Sequence, residues 1–308
     1  MISALLNRAS RSPRSRHLVE TFPVTRKVVD RFVAGESGPD VVETAAALAA
    51  RGMSVTIDVL GEDVVDREDS RRTRDAYVDL LALLHERGLA DGADVSVKLS
   101  ALGQALPGGG EAMALGNARG ICESAAAVGC TVTLDMEDHA TVDSTLRIGE
   151  ELRATFPWVG NVLQSNLRRT DDDIAALAGT QARVRIVKGA YREPESVAHK
   201  RKRDVDLAYA RHIDALMASS CYPMVGTHDP AMLDHARASA VRHDRAPGEW
   251  ECQMLFGVRT DLQEQVHGRG HTMRVYVPFG TDWYGYFMRR LAERPANIAF
   301  FLRALTGR

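Results

Sequence analysis

Residues Met273 to Glu293 read Met-Arg-Val-Tyr-Val-Pro-Phe-Gly-Thr-Asp-Trp-Tyr-Gly-Tyr-Phe-Met-Arg-Arg-Leu-Ala-Glu. The run from Met273 to Val277 has the β-branched, alternating character of a strand, and Pro278-Phe279-Gly280 stops it. An aromatic-rich helix follows, so the stretch is one strand-helix unit. Working outwards, the pattern recurs. Strands are expected at Val55–Val59, Val95–Leu99, Thr131–Asp135, Val162–Gln164, Val184–Val187, Met224–Thr227, Gln253–Leu255 and Arg274–Val277, the fourth and seventh having the weakest signal. Segments rich in Ala, Leu and charge at helical spacing lie between them: 75–87, 112–127, 141–154, 171–178, 195–218 and 230–243. Eight βα units over roughly 250 residues predict an α/β fold, a distorted TIM-like (β/α)8 barrel. A doubly wound sheet is the rival. No Gly-x-Gly-x-x-Gly follows the first strand, and Gly108-Gly109-Gly110 lacks that spacing.

At 308 residues the chain can bury a large core, and no linker or low-complexity stretch divides it. One domain over 1–308 is expected, with about the first 50 residues as an N-terminal helical arm. Lys+Arg 39 against Asp+Glu 41 leaves a net charge of -2, so no basic field points to nucleic acid. Cys122, Cys130, Cys221 and Cys252 are far apart, which suits thiols in a reducing, cytoplasmic compartment. No apolar run reaches the roughly 18 residues of a membrane span. Arg8, Arg11, Arg14 and Arg16, among serines and without an acid, read either as a transit-type segment or as a basic surface helix touching a membrane.

Polar residues recur where the expected strands end: Asp58, Lys98, Asp135, Gln164, Arg185 with Lys188, Thr227 with His228, and Tyr276. Barrel active sites are built at that rim, and charge on apolar strands is costly unless paired or bound to ligand. On the last helix, Tyr286, Arg289, Arg290 and Glu293 share nearby faces. Adjacent arginines can fork onto a small carboxylate. A metal reading of Asp135 to His139 lacks an organised ligand set, so no metal is expected. A strand-end lysine, Lys98 or Lys188, leaves a Schiff-base barrel enzyme as an alternative.

Val97-Lys-Leu-Ser-Ala-Leu102, Leu134-Asp-Met-Glu137, Arg185-Ile-Val-Lys-Gly-Ala-Tyr191, Gly226-Thr-His228 and the closing block quoted above follow one another in a specific order. Together they resemble the proline dehydrogenases, in particular the short monofunctional bacterial form. The resemblance implies a barrel carrying FAD that oxidises L-proline to Δ1-pyrroline-5-carboxylate, the first step of proline catabolism. It implies that Lys98, Arg289 and Arg290 hold the proline carboxylate, that Tyr276 and Tyr286 close over the ring, and that Glu293 steadies an arginine. Asp135 and Arg185 match active-site positions, Arg185 beside the flavin N5. Met136, Gln164, Lys188, Gly189, Ala190, Thr227 and His228 match FAD contacts. Electrons would pass to a membrane quinone, which places the protein peripherally at the inner face of the membrane. Glu62 is a candidate partner for Arg289. Asp135 is open to two readings, a base or a buried partner of Lys98 and Arg185, with the structural role favoured.

Overall fold

The computed structural model describes residues 29–61 and 64–293, with side chains as far as Met288 in the last helix. Eight parallel strands form a closed barrel in sequence order: β1 Ser54–Val59, β2 Asp94–Val97, β3 Thr131–Leu134, β4 Gly160–Gln164, β5 Arg183–Val187, β6 Tyr222–Gly226, β7 Glu251–Leu255 and β8 Met273–Phe279. The ring closes where β8 pairs with β1, from Ser54 opposite Arg274 to Val59 opposite Phe279. The helices are α1 Gly38–Ala49, α2 Arg67–Glu86, α3 Gly110–Val128, α4 Val142–Arg153, α5 Thr170–Leu177, α6 Lys202–Ala218, α7 Pro230–Arg242, α8 Thr260–Gly268 and α9 Trp283–Glu293. The expected (β/α)8 architecture is the observed one.

The period of two along each strand sorts the chemistry. Val55 and Ile57, Val95 and Val97, Val132 and Leu134, Val184 and Ile186, and Val275 and Val277 are buried in one apolar cluster with Leu80, Leu81, Leu84, Ile121 and other helix residues. The alternate positions form a polar lumen: Thr56 and Asp58, Asp94 and Ser96, Thr131 and Thr133, Arg183 and Arg185, Glu251 and Gln253. An apolar scan therefore finds the strands by their outer faces and misses the polar ones. β4 and β7 each start two residues earlier than expected, because Gly160, Asn161, Glu251 and Cys252 break the apolar run.

Two helix boundaries also move. Expected at Glu195, α6 begins at Lys202, because the preceding segment pairs with the β4–α5 loop instead. Leu167 bridges Ala198, and the His199 amide donates to Asn166 O at 2.7 Å. α2 begins at Arg67 and not 75: Asp66 caps it by accepting from the Asp69 amide, and its first turns are charged. At the N-terminal end of the described chain, Val29, Phe32 and Val33 pack with Leu60, Trp283, Tyr286 and Phe287. Backbone bonds from Ala34 to Pro278 O and from Gly280 to Gly35 O add to this, so the arm pins α9 beside the strand ends.

Candidate active site

A cavity of about 740 Å³ opens at the C-terminal ends of the strands. Lys98, Asp135, Met136, Gln164, Arg185, Lys188, Gly189, Ala190, Thr227, His228, Tyr276 and Tyr286 all line it. The side chains of Arg289, Arg290 and Glu293 lie outside the described residues, as do Glu62 and the N-terminal arginines.

Arg185 is the centre of the polar cluster. Its Nη1 donates to Asp135 Oδ1 at 2.7 Å and to Ser96 Oγ at 3.0 Å, and its guanidinium lies 5.3 Å from the Tyr276 ring centroid. Asp135 also accepts from Ser96 Oγ and from the Tyr276 hydroxyl, each at 2.8 Å. Burial and the nearby Asp135 charge push the Tyr276 phenol well above its ordinary value, so it stays protonated and donates. Nε and Nη2 of Arg185 are buried with no hydrogen-bond partner. Nη2 lies 3.6 Å from Asp94 Oδ2 in the lumen below, so Nε is the donor left without an acceptor, and a buried unused donor is costly.

Lys98 lies beside this cluster, 3.9 Å from Asp135, and donates to both oxygens of Asp58 at 2.7 Å. Asp58 is almost wholly buried on β1. Desolvation raises its carboxyl even against the attraction of Lys98. Lys188 likewise sits between Asp206 at 2.5 Å and Asp229 at 3.0 Å. Ion-paired lysines do not offer the neutral amine that the Schiff-base alternative requires.

The remaining positions shape the walls. Gln164 donates to Glu137 O at 2.7 Å, which fixes its amide. His228 Nε2 accepts the Leu255 amide at 2.9 Å, leaving Nδ1 to carry a proton. Thr227 Oγ accepts the Asp229 amide at 3.1 Å. Gly189 has φ +100°, and a Cβ there would collide with the Asn166 side chain. The acidic run after β3 disperses: Asp135 turns to Arg185, Glu137 to Ser100, and His139 to Glu193. Sequence reasoning placed Asp58 at the rim without a role, and missed Ser96, Asp206 and Asp229. Ser96 was recoverable, since it lies two residues before Lys98 on one strand face.

The family model described as "Proline dehydrogenase" matches residues 41–303. The chain belongs to the proline dehydrogenase family. It is 38% identical over 309 residues to the proline dehydrogenase of Deinococcus radiodurans, covering 99% of each chain. Proline dehydrogenase 1 of Bacillus subtilis is 36% identical over 281 residues, 91% of each. In fold, the chain superposes with a TM-score of 0.81 on proline utilization A from Bdellovibrio bacteriovorus. That match has 24% identity and covers 87% of this chain and 33% of the other. The chain thus pairs nearly end to end with short proline dehydrogenases and with one portion of the longer protein.

Proposed function

We propose that this proline dehydrogenase-family chain oxidises L-proline to Δ1-pyrroline-5-carboxylate with bound FAD, and that the electrons pass to a quinone. The observation that carries the reading is the coincidence of one cavity with every described site position implied by the family resemblance. Its volume of about 740 Å³ falls within the usual range for small-molecule sites.

The residues present fit a flavin. Arg185 lines the cavity and keeps its buried Nε without a hydrogen bond. Gly189, at φ +100° and packed against the Asn166 side chain, presents bare backbone to the cavity wall. Lys188 and Lys202 line the cavity as ammonium donors that a diphosphate could engage, their charge balanced here by Asp206 and Asp229. Met136, Gln164, Arg185, Lys188, Gly189, Ala190, Thr227 and His228 would hold the cofactor. When bound, the flavin supplies the hydride acceptor, its N5, for the carbon beside the amine.

The protein's share is orientation and field. Asp135 and Ser96 fix Arg185, whose permanent charge favours electron density arriving next to it. Lys98, Arg289 and Arg290 are proposed to hold the substrate carboxylate, with Glu293 steadying the arginines. Tyr276 and Tyr286 are proposed to cover the ring and keep water out. No helix among the described residues is long and apolar enough to cross a membrane. Quinone as acceptor is instead consistent with a cytoplasmic protein that touches the inner face of the membrane from outside the bilayer.

The test is to release and weigh the chromophore of the purified protein, then assay proline with a soluble quinone and with NAD. Released FAD and turnover with quinone alone are expected. A colourless protein that takes up no added FAD would sink the proposal.

A further inference from the structure

Oxidation at the carbon beside the amine requires a neutral nitrogen, whereas an amino acid arrives as an ammonium carboxylate at neutral pH. A base must therefore take one proton before hydride can leave. Among the described residues, Asp58 and Asp135 line the cavity close to Lys98, and their surroundings differ. Asp135 is spoken for on both oxygens by Arg185, Ser96 and Tyr276, at 2.7 to 2.8 Å. Asp58 is held by the single ammonium of Lys98, which takes both of its oxygens at 2.7 Å. The side chain of Asp58 is 1% exposed and that of Lys98 is 12% exposed, so the pair sits at the cavity floor with the lysine outermost.

We propose that Asp58 is the base that accepts the substrate's ammonium proton, and that the substrate's own carboxylate activates it by drawing Lys98 away. This rests on the reading of Lys98 as a carboxylate-binding residue. A fully buried carboxylate that loses the one close cation it has among the described residues becomes a stronger base, because burial is then less opposed. In the step, an N–H bond of the ammonium breaks and its electron pair remains on nitrogen. An O–H bond forms on Asp58, and no electrons change owner. The free base is thus made only when the group it must deprotonate is present.

The groups facing Asp58 support this order of events. Lys98, just after β2, lowers its affinity for a proton, while Asp135, just after β3, raises it. Tyr276 of β8 lies near it with its hydroxyl proton given to Asp135, and Tyr77 of α2 is a buried neutral phenol. With Lys98 turned to the substrate, the neighbouring Asp135 charge and burial both favour the protonated form.

Asp58→Asn keeps the shape and an acceptor for Lys98 while removing the base. The rate of flavin reduction by proline should fall by about 100-fold or more at neutral pH. The pH profile should also change form. In the wild type, kcat/KM should rise with pH through an enzyme group. In the variant it should climb only as the free substrate amine deprotonates. Cyclopentanecarboxylate, which has the ring and carboxylate without the amine, should bind the variant at least as tightly by calorimetry; that result also shows the variant to be folded. An unchanged reduction rate, or a slower one with the wild-type pH profile, would overturn the role of Asp58. If Lys98→Met still bound cyclopentanecarboxylate with wild-type affinity, the underlying reading of Lys98 would fail instead.

Discussion

Asp94 and Asp58 are both fully buried in the lumen of one barrel, on neighbouring strands, yet their carboxyls are displaced in opposite directions. Asp94 lies in the lower lumen. It accepts from Thr56, Thr131 and Thr133 and pairs with Arg183 at 2.9 Å. Burial acts against its charge, but Arg183, Arg274 and Arg185 outweigh it and hold the carboxyl at about 2. Asp58 lies at the rim, where Lys98 is the one close cation among the described residues and Asp135 opposes its charge, and burial wins. The same contrast holds for the arginines. Arg274 is satisfied by Glu251 at 2.7 Å and by the Val55 and Gly92 carbonyls. Arg185 spans the two layers: Nη2 lies 3.6 Å from Asp94 Oδ2, Nη1 binds Asp135 and Ser96, and the buried Nε has no hydrogen-bond partner. Ion pairs at the bottom of the barrel are saturated and serve the fold. Those at the top hold fewer counter-charges per group and line the cavity.

The sharpest way to break this contrast is to remove a lower partner. Asp94→Ala should cost about 3–5 kcal/mol in denaturant unfolding, because three arginines lose their shared counter-ion. The folded fraction should keep its proline KM. At the top, Arg185→Met should slow flavin reduction about 100-fold, or about 2.7 kcal/mol, with proline still bound, measured by rapid mixing without oxygen. Equal losses of stability in the two variants would erase the distinction between the layers.

Acid unfolding sharpens it further. A carboxyl lowered from 3.8 to about 2 stabilises the fold fully above its unfolded value, and that contribution is lost as pH falls towards about 2. It amounts to about 2 kcal/mol. Asp94→Asn should therefore show a shallower loss of stability between about pH 4 and 2 than the wild type. The smallest expected effect is at the carboxylate clamp. Arg289→Lys should raise the proline KM at least about tenfold, or about 1.4 kcal/mol, because an ammonium cannot reproduce a two-pronged contact. The flavin spectrum should be unchanged.

The same layering explains what the sequence made legible. Outward-facing valines and isoleucines gave away β1, β2, β5 and β8, and their order led to the barrel. The rim residues were readable because polar groups at apolar strand ends are conspicuous, and Arg185 and Lys98 could be named from their motifs. The lower lumen was invisible, because Asp94, Thr131 and Arg183 sit at strand starts, where polar residues are unremarkable. The pairing of Lys98 with Asp58 depends on the closeness of β1 and β2 in space, which no local pattern encodes. The late start of α6 was hidden for a similar reason, since the Leu167–Ala198 bridge joins two loops.

The most direct test of the central claim, that the upper cluster is a redox site for proline, is to add L-proline without oxygen to the purified protein while recording its visible spectrum. The account predicts a flavin band that bleaches in the wild type and bleaches far more slowly in Arg185→Met. A flavin that stays oxidised under saturating proline would contradict it.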